Sequence, residues 1–385
     1  MDSVVEAIML IFCVFGTPAI TFFPTFALAF LITPYAARLA CWAGLVARVR
    51  PERLHREPKP YGGGIAIAIS LGLWALASLL LMLAFADEYA LREPGYWGAA
   101  QSLIATDLPW LPRLAAGSVL FFIVGLADDR RAFGAAAKMA IQFLAAGVCV
   151  VLFGLKATVW LRAPILPDAI SILWIVAVVN AYNMLDHADG IAAAAGTAAF
   201  VALALEQLTF GDYALASAAL TAAGALAGFL IYNFPPAKLF MGDAGSMPIG
   251  FLLAALTIQA QYYHEGSTPS RLVVLIPLAL LAVPLFDMVC VVAARLWRRQ
   301  NPMKGDATSH LAHRMLARGW SPRGIVAFAA GATAVTGAAS ASMYFLSGPA
   351  LAAPWIVVAA VLAAMLLVRR PPHAQVARGS SQNQP

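Results

Sequence analysis

Apolar runs of about 17 to 25 residues, the length needed to cross the hydrocarbon core of a bilayer, recur from one end of this 385-residue chain to the other. Eleven are read, at roughly 8–32, 62–86, 113–127, 134–154, 169–185, 190–209, 212–232, 247–262, 271–294, 324–347 and 349–368. Only 11% of the residues are charged, against about 25% in a soluble domain, so water is not the main solvent. The expected fold class is all-α: a polytopic integral membrane protein of about 11 transmembrane helices. Residues 1–370 read as a single transmembrane domain with functional loops on the inner, cytoplasmic side, and 371–385 as a disordered cytoplasmic tail.

Asp2 and Glu6, rather than basic residues, precede the first run. This argues against a cleaved signal peptide and for an outward-facing N-terminus. With that orientation, every Lys and Arg except Arg92, Arg113, Lys156, Arg162 and Arg271 falls on the inner side. The segregation obeys the positive-inside rule and puts the C-terminus in the cytoplasm. The net charge of +6 thus belongs to the face that meets anionic lipids and substrates, and says nothing in favour of nucleic acid. Cys13, Cys41, Cys149 and Cys290 lie in or beside apolar runs without metal-ligand spacing, as packing residues would.

The inner-side acids come in clusters: "GLADDRR", "NAYNMLDHADG", "FMGDAGS" and a lone Asp287 inside "VPLFDMVCVV". Placing a carboxylate in hydrocarbon costs about 2.5–3.5 kcal/mol, so several on one side need a shared partner. Asn180, Asn183, Asp186 and Asp189 recur every third residue. Each step turns about 300° on a helix, so the four cannot share one face. The helix is expected to end near Asp186 and the chain to turn at "HADG", with Gly190 admitting the bend. Oxygen-rich ends of this kind suit a hard cation such as Mg²⁺ shared with phosphates; helix capping by Asn and Asp is the alternative.

Asp128 and Asp129 are adjacent carboxylates, fit for proton acceptance or metal binding, or for capping the helix starting near Gly134. In "NFPPAKLFMGDAGSMPIG", small residues around Asp243 let backbone N–H groups approach a phosphate at a helix start. Phe240 offers a face for a nucleobase; a tight turn capped by Asp243 is the other reading. His310, His313 and Arg314 in "HLAHR" would share one helical turn and suit a diphosphate; a solvated basic loop is the other reading. Two histidines alone are too few for zinc. "RPERLHREPKPYGGG" reads as a basic loop entering a helix.

"ADDR", "NAYNMLDHADG", "NFPPAKLFMGDAGS" and "HLAHR", in that order, resemble the polyprenyl-phosphate N-acetylhexosamine-1-phosphate transferase family (glycosyltransferase family 4) from about Arg48 to Ser321. The resemblance implies Mg-dependent transfer of a sugar 1-phosphate, foremost GlcNAc-1-phosphate, from a UDP-N-acetylhexosamine to undecaprenyl phosphate. UMP is released and a lipid-linked cell-envelope glycan initiated at the cytoplasmic face of the bacterial inner membrane. By the same resemblance Asn183 and Asp243 are the Mg²⁺ ligands (Mn²⁺ being the substitute), and Asp128 with its partner Asp129 is catalytic. Lys138, Asp186, Asp189, Phe240, His310, His313 and Arg314 bind substrate. The lipid bilayer is a further partner, and a homodimer is left open.

Three departures stand out. His187 occupies a position that is usually glycine, "HLAHR" lacks a central histidine, and Ala47 and Leu54 replace residues frequent in the first inner loop, which therefore receives no catalytic role. A membrane transporter is the competing class; it predicts acids near the midplane, where only Asp287 falls.

Overall fold

The computed structural model describes residues 19–47, 58–92, 110–157, 165–263, 270–301 and 310–369. It is a helical bundle: α1 (Ala19–Trp42), α2 (Gly63–Arg92), α3 (Leu111–Arg130), α4 (Ala135–Gly147, prolonged by a π turn to Leu152), α5 (Leu166–Leu185), α6 (Ile191–Thr209), α7 (Tyr213–Asn233), α8 (Asp243–Gln259), α9 (Ile276–Leu280, preceded by a 3₁₀ turn from Arg271), α10 (Ala282–Trp297), α11 (Leu311–Ala317), α12 (Pro322–Ser342) and α13 (Ala352–Arg369). Two-residue strands β1 (Val46–Ala47) and β2 (Lys59–Pro60) pair antiparallel between α1 and α2.

Ten of the expected spans fall on described helices, and the described part of the first, from residue 19, falls on α1, which runs on ten residues past its expected end to Trp42. Eight helices among the described residues are long and apolar enough to cross a membrane, and Arg271–Leu280 with Ala282–Trp297 makes a ninth, bent by 69°. The remaining two are α2 and the 17-residue α8. The bend falls where Pro284 has no N–H to offer the carbonyl of Leu280, four residues back. Phe23, Leu144, Leu152 and Ile356 stand exposed on the outside of the bundle, an arrangement stable only against lipid. This is a multi-pass membrane protein. Residues 8–18 of the first expected span, Leu54 in the first loop and the tail 371–385 lie outside the described residues.

α8 is the axis of the bundle. Every residue from Ala244 to Ile258 is buried, and α3 and α5 pack against it, as befits a helix apolar on all sides. Its N-terminus is therefore held at the same end of the bundle as the C-termini of α3 and α5. That end gathers the polar motifs.

Candidate active site

The ends of four helices meet around one ammonium group. Lys138, on the first turns of α4, points its Nζ at Asp128 Oδ2 (2.9 Å), Asn183 Oδ1 (3.2 Å) and, closest of all, Asp243 Oδ2. Asn183 in turn donates from Nδ2 to Asp243 Oδ1 (2.6 Å) and to Ser246 Oγ (2.9 Å). Three oxygens from three distant segments thus surround one cation. Carboxylate and amide oxygens are also the donors a hard divalent ion takes.

Asp129 holds the start of α8. Both its oxygens accept backbone N–H groups of α8, Oδ1 from Asp243 and Oδ2 from Ala244, each at 2.9 Å. It satisfies the unpaired donors at a helix N-terminus from another helix and so fixes where Asp243 projects. Asp128 keeps one oxygen for Lys138 and gives the other to the Phe133 N–H at 2.6 Å. The adjacent carboxylates therefore face different partners.

For Asp129 to reach α8, α3 must come close, and Gly125 permits it: a Cβ there would lie 2.1 Å from the Asp243 carbonyl oxygen. Gly64 does the same for α2, where a Cβ would meet the Gly245 nitrogen at 2.3 Å. These contacts are with backbone, which cannot swing aside. Gly125→Ala is expected to push α3 off α8 and to lower the thermal unfolding midpoint by several degrees, as overpacking costs about 1–3 kcal/mol. A midpoint equal to wild type would refute that close approach.

Asn180 does not join the oxygen cluster. Its Nδ2 donates to Gln142 Oε1 (2.7 Å) and to the Val176 carbonyl, tying α5 to α4. α5 ends at Leu185 with Asp186 as its C-cap, and Gly190 takes a left-handed φ of 75°, so the turn lies where the spacing placed it.

A second loop, between α7 and α8, is stitched onto this turn. Buried Asn233 accepts the Gly190 N–H and donates to the Leu239 carbonyl, both at 2.9 Å. Asp189 Oδ2 accepts the Ala237 N–H (2.9 Å). Asn233 was not singled out from the sequence, although "NFPP" contains it; its partners lie on two loops, which no local pattern reveals. Asn233→Ala would strand a buried donor and a buried acceptor, at about 1–3 kcal/mol each, and is expected to lower the unfolding midpoint markedly in a thermal melt.

The first loop contributes more than its basic character suggested. The Phe240 N–H donates to Pro60 O (2.9 Å), and Gly63 and Gly64 donate to the carbonyls of Phe240 and Met241. This pairing carries Lys59 to 5.3 Å above the Phe240 ring centroid, within cation–π range, and 3.9 Å from Asp189 Oδ2. Tyr61 lies 6.3 Å from Phe240, ring to ring. An aromatic shelf edged by Asp189 and Lys59 results, and neither Lys59 nor Tyr61 was identified from the sequence.

Asp287 is fully buried, and each of its oxygens has a partner. Its Oδ2 lies 3.1 Å from His310 Nδ1, and its Oδ1 accepts the Leu311 N–H (3.1 Å) and a close contact from Arg369. It therefore caps α11, sets His310 and binds α13 to the site. The His187 ring stacks on His310 (centroids 4.2 Å apart) and on His313 (5.8 Å). Its Nδ1 donates to the Met184 carbonyl, which can only accept. Desolvation, with His310 alongside, pushes the ring down to about 3, so it is neutral at pH 7. The fold supplies neighbours that the spacing of the two histidines lacked: His187, Asp287 and His310 each bring a ligand atom within 4.8 Å. Near-parallel rings aim their lone pairs side by side rather than at one point, however, and both Asp287 oxygens are engaged. The group holds α11 in place. Arg314 sits on the same short helix as His313.

The fold and site are those of a multi-pass membrane protein with a carboxylate, amide and ammonium cluster at one end of its bundle, beside an aromatic shelf, and comparison with known proteins identifies its class. The glycosyl transferase family 4 model matches residues 111–261. A decaprenyl-phosphate N-acetylglucosaminephosphotransferase of Mycolicibacterium smegmatis is 30% identical over 90% of this chain and 87% of its own length. A probable undecaprenyl-phosphate N-acetylglucosaminyl 1-phosphate transferase of Bacillus subtilis is 28% identical over 76% and 75%. A phospho-N-acetylmuramoyl-pentapeptide-transferase of Lactiplantibacillus plantarum is 42% identical over a shorter stretch, 25% and 30%. The chain belongs to glycosyl transferase family 4, among the polyprenyl-phosphate sugar-1-phosphate transferases, and is a phosphotransferase.

Proposed function

We propose that this enzyme transfers GlcNAc-1-phosphate from UDP-GlcNAc to undecaprenyl phosphate at the cytoplasmic face of the bacterial inner membrane, initiating a lipid-linked envelope glycan. An oxygen of the lipid phosphate attacks the phosphorus that carries the sugar. A new diphosphate bond forms, the bond to the bridging oxygen breaks, and UMP leaves. The observation that carries this reading is the Lys138 ammonium held by Asp128, Asn183 and Asp243, a site built to manage concentrated phosphate charge. The polyprenyl acceptor and the GlcNAc donor named for the relatives support it.

In this reading Asn183 and Asp243 hold Mg²⁺, which when bound neutralises the diphosphate and polarises the reacting phosphoryl group. Lys138 adds positive charge where negative charge gathers. Asp128 orients the lipid phosphate and takes its proton when it carries one. Phe240 stacks on the uracil beside Lys59, and Asp189 accepts from the base through its free carboxylate capacity, while Asp186 stands at the rim of the same turn. His313 and Arg314 hold the diphosphate, with His310 fixed by Asp287. Asp129 acts as a positioning residue for Asp243.

The test uses purified protein in lipid, undecaprenyl phosphate and a panel of UDP-N-acetylhexosamines. UMP release is expected with UDP-GlcNAc, to stop on adding EDTA, and to return with excess Mg²⁺. Release from another UDP-N-acetylhexosamine alone would keep the reaction and change the sugar. Release from none would overturn it.

A further inference from the structure

The end of the bundle opposite Lys138 holds a second polar cluster that the transfer reaction does not use. α6 leaves the active-site turn at Ile191 and reaches Glu206 fifteen residues on, a rise of about 22 Å at 1.5 Å per residue. There Glu206 and Ser340 are fully buried, Gln207 is 1% exposed, Tyr344 5% and Tyr262 8%. The residues come from three segments: α6, the end of α12 with the turn that follows it, and the chain just beyond α8.

Their polar atoms converge. Ser340 donates to Glu206 Oε1, the Tyr262 and Tyr344 rings stack at 6.4 Å, and both phenols lie near the Glu206 carboxyl group. The Tyr344 hydroxyl faces the Gln207 amide without closing a well-formed hydrogen bond to it. Glu206 Oε2, both amide atoms of Gln207 and the hydroxyls of Tyr262 and Tyr344 are buried without a hydrogen-bond partner. Buried polar groups are almost always satisfied, and each one left bare costs about 1–3 kcal/mol. Five such atoms facing one another call for an occupant.

The charge and donor set define it. Among the described residues no basic side chain pairs with Glu206, so the cluster holds a single carboxyl group in an apolar surround, neutral while it keeps its proton and able to exchange that proton for one cation. The inward-facing acceptors are all oxygens: carboxylate, amide carbonyl, phenol and hydroxyl, the ligands of a hard alkali or alkaline-earth ion rather than a transition metal. One carboxylate balances one positive charge, whereas a divalent ion would leave a net charge away from water, which is costly. We propose that Glu206, Gln207, Ser340, Tyr262 and Tyr344 form a binding site for a small monovalent cation of the sodium class. The bound ion clamps α6 to α12 at the end of the bundle away from the chemistry.

The site does not depend on the transferase assignment. The full-length protein in nanodiscs, with EDTA present to remove divalent ions, is melted in NaCl, KCl or choline chloride at equal ionic strength. Sodium is expected to raise the unfolding midpoint relative to choline, and Glu206→Gln to abolish that difference. Tyr262→Phe keeps the ring and removes one oxygen. It is expected to raise the sodium concentration giving half the shift about tenfold, the effect of losing about one good polar contact. It also serves as the test should Glu206→Gln fail to fold. The sodium response is expected to persist in Asp243→Ala, which separates it from the active-site end. Equal midpoints in NaCl and choline chloride would mean that water or a proton fills the cluster, and would overturn the proposal. So would a full sodium shift retained by Glu206→Gln, or a wild-type sodium response in Tyr262→Phe.

Discussion

Asp243→Ala is expected to reduce UMP release by about 10³-fold or more, the scale on which a principal electrostatic stabiliser acts, while leaving the protein folded. The two halves of that expectation rest on different atoms. The Asp243 side chain contacts Lys138 and Asn183, so its removal opens the group that handles phosphate. Its backbone N–H, however, is held by Asp129, and α8 remains buried along its length. The variant is therefore expected to melt near the wild-type midpoint and yet be inactive at saturating Mg²⁺. Asp129→Ala should behave in the opposite manner: both α8 donors lose their acceptor, so stability falls together with activity. Undiminished release from Asp243→Ala would remove this residue from the metal and phosphate site.

Asp287→Ala is expected to be the most destabilising single change at this end of the bundle. It removes the acceptor of the Leu311 N–H, the partner of His310 and the carboxylate facing Arg369 in one step. Deleting one member of a buried ion pair costs about 3–5 kcal/mol. Thermal melts in lipid should show a large fall in midpoint, and any folded fraction should bind the donor poorly, because α11 carries His313 and Arg314. Asp287→Asn keeps one acceptor for Leu311 and is expected to be milder. An ion-path role predicts something else: near-normal stability with altered ion flux in proteoliposomes. That result would reinstate the transporter reading for this residue.

Much of the site was legible in the sequence, for an identifiable reason. Asn183, Asp128 and Asp243 are polar residues at the edges of apolar runs, where their cost in hydrocarbon marks them, and a helix end at Asp186 followed from the three-residue spacing. What escaped notice depends on contacts between remote segments. Asp129 and its partner Asp243 are 114 residues apart, Asp287 and Arg369 are 82 apart, and Asn233 bridges 43 residues to Gly190. Adjacent carboxylates invite a paired reading, and only the approach of α8 assigns one to a helix end and the other to a lysine. Lys59 and Tyr61 resembled a positively charged flank until the backbone of β2 and the glycines after it met Phe240 and Met241.

By itself, then, the amino-acid order determined the solvent, the helical class and the end of the bundle where the chemistry-bearing side chains collect, because hydropathy and charge act on each segment independently of the others. Only the tertiary structure decided which oxygens face Lys138, why Asp287 is buried, and that Glu206 shares a polar cluster with two tyrosines. Those outcomes turn on which helices lie close enough to touch, and helix approach is set by packing across the whole bundle rather than by any one stretch of chain.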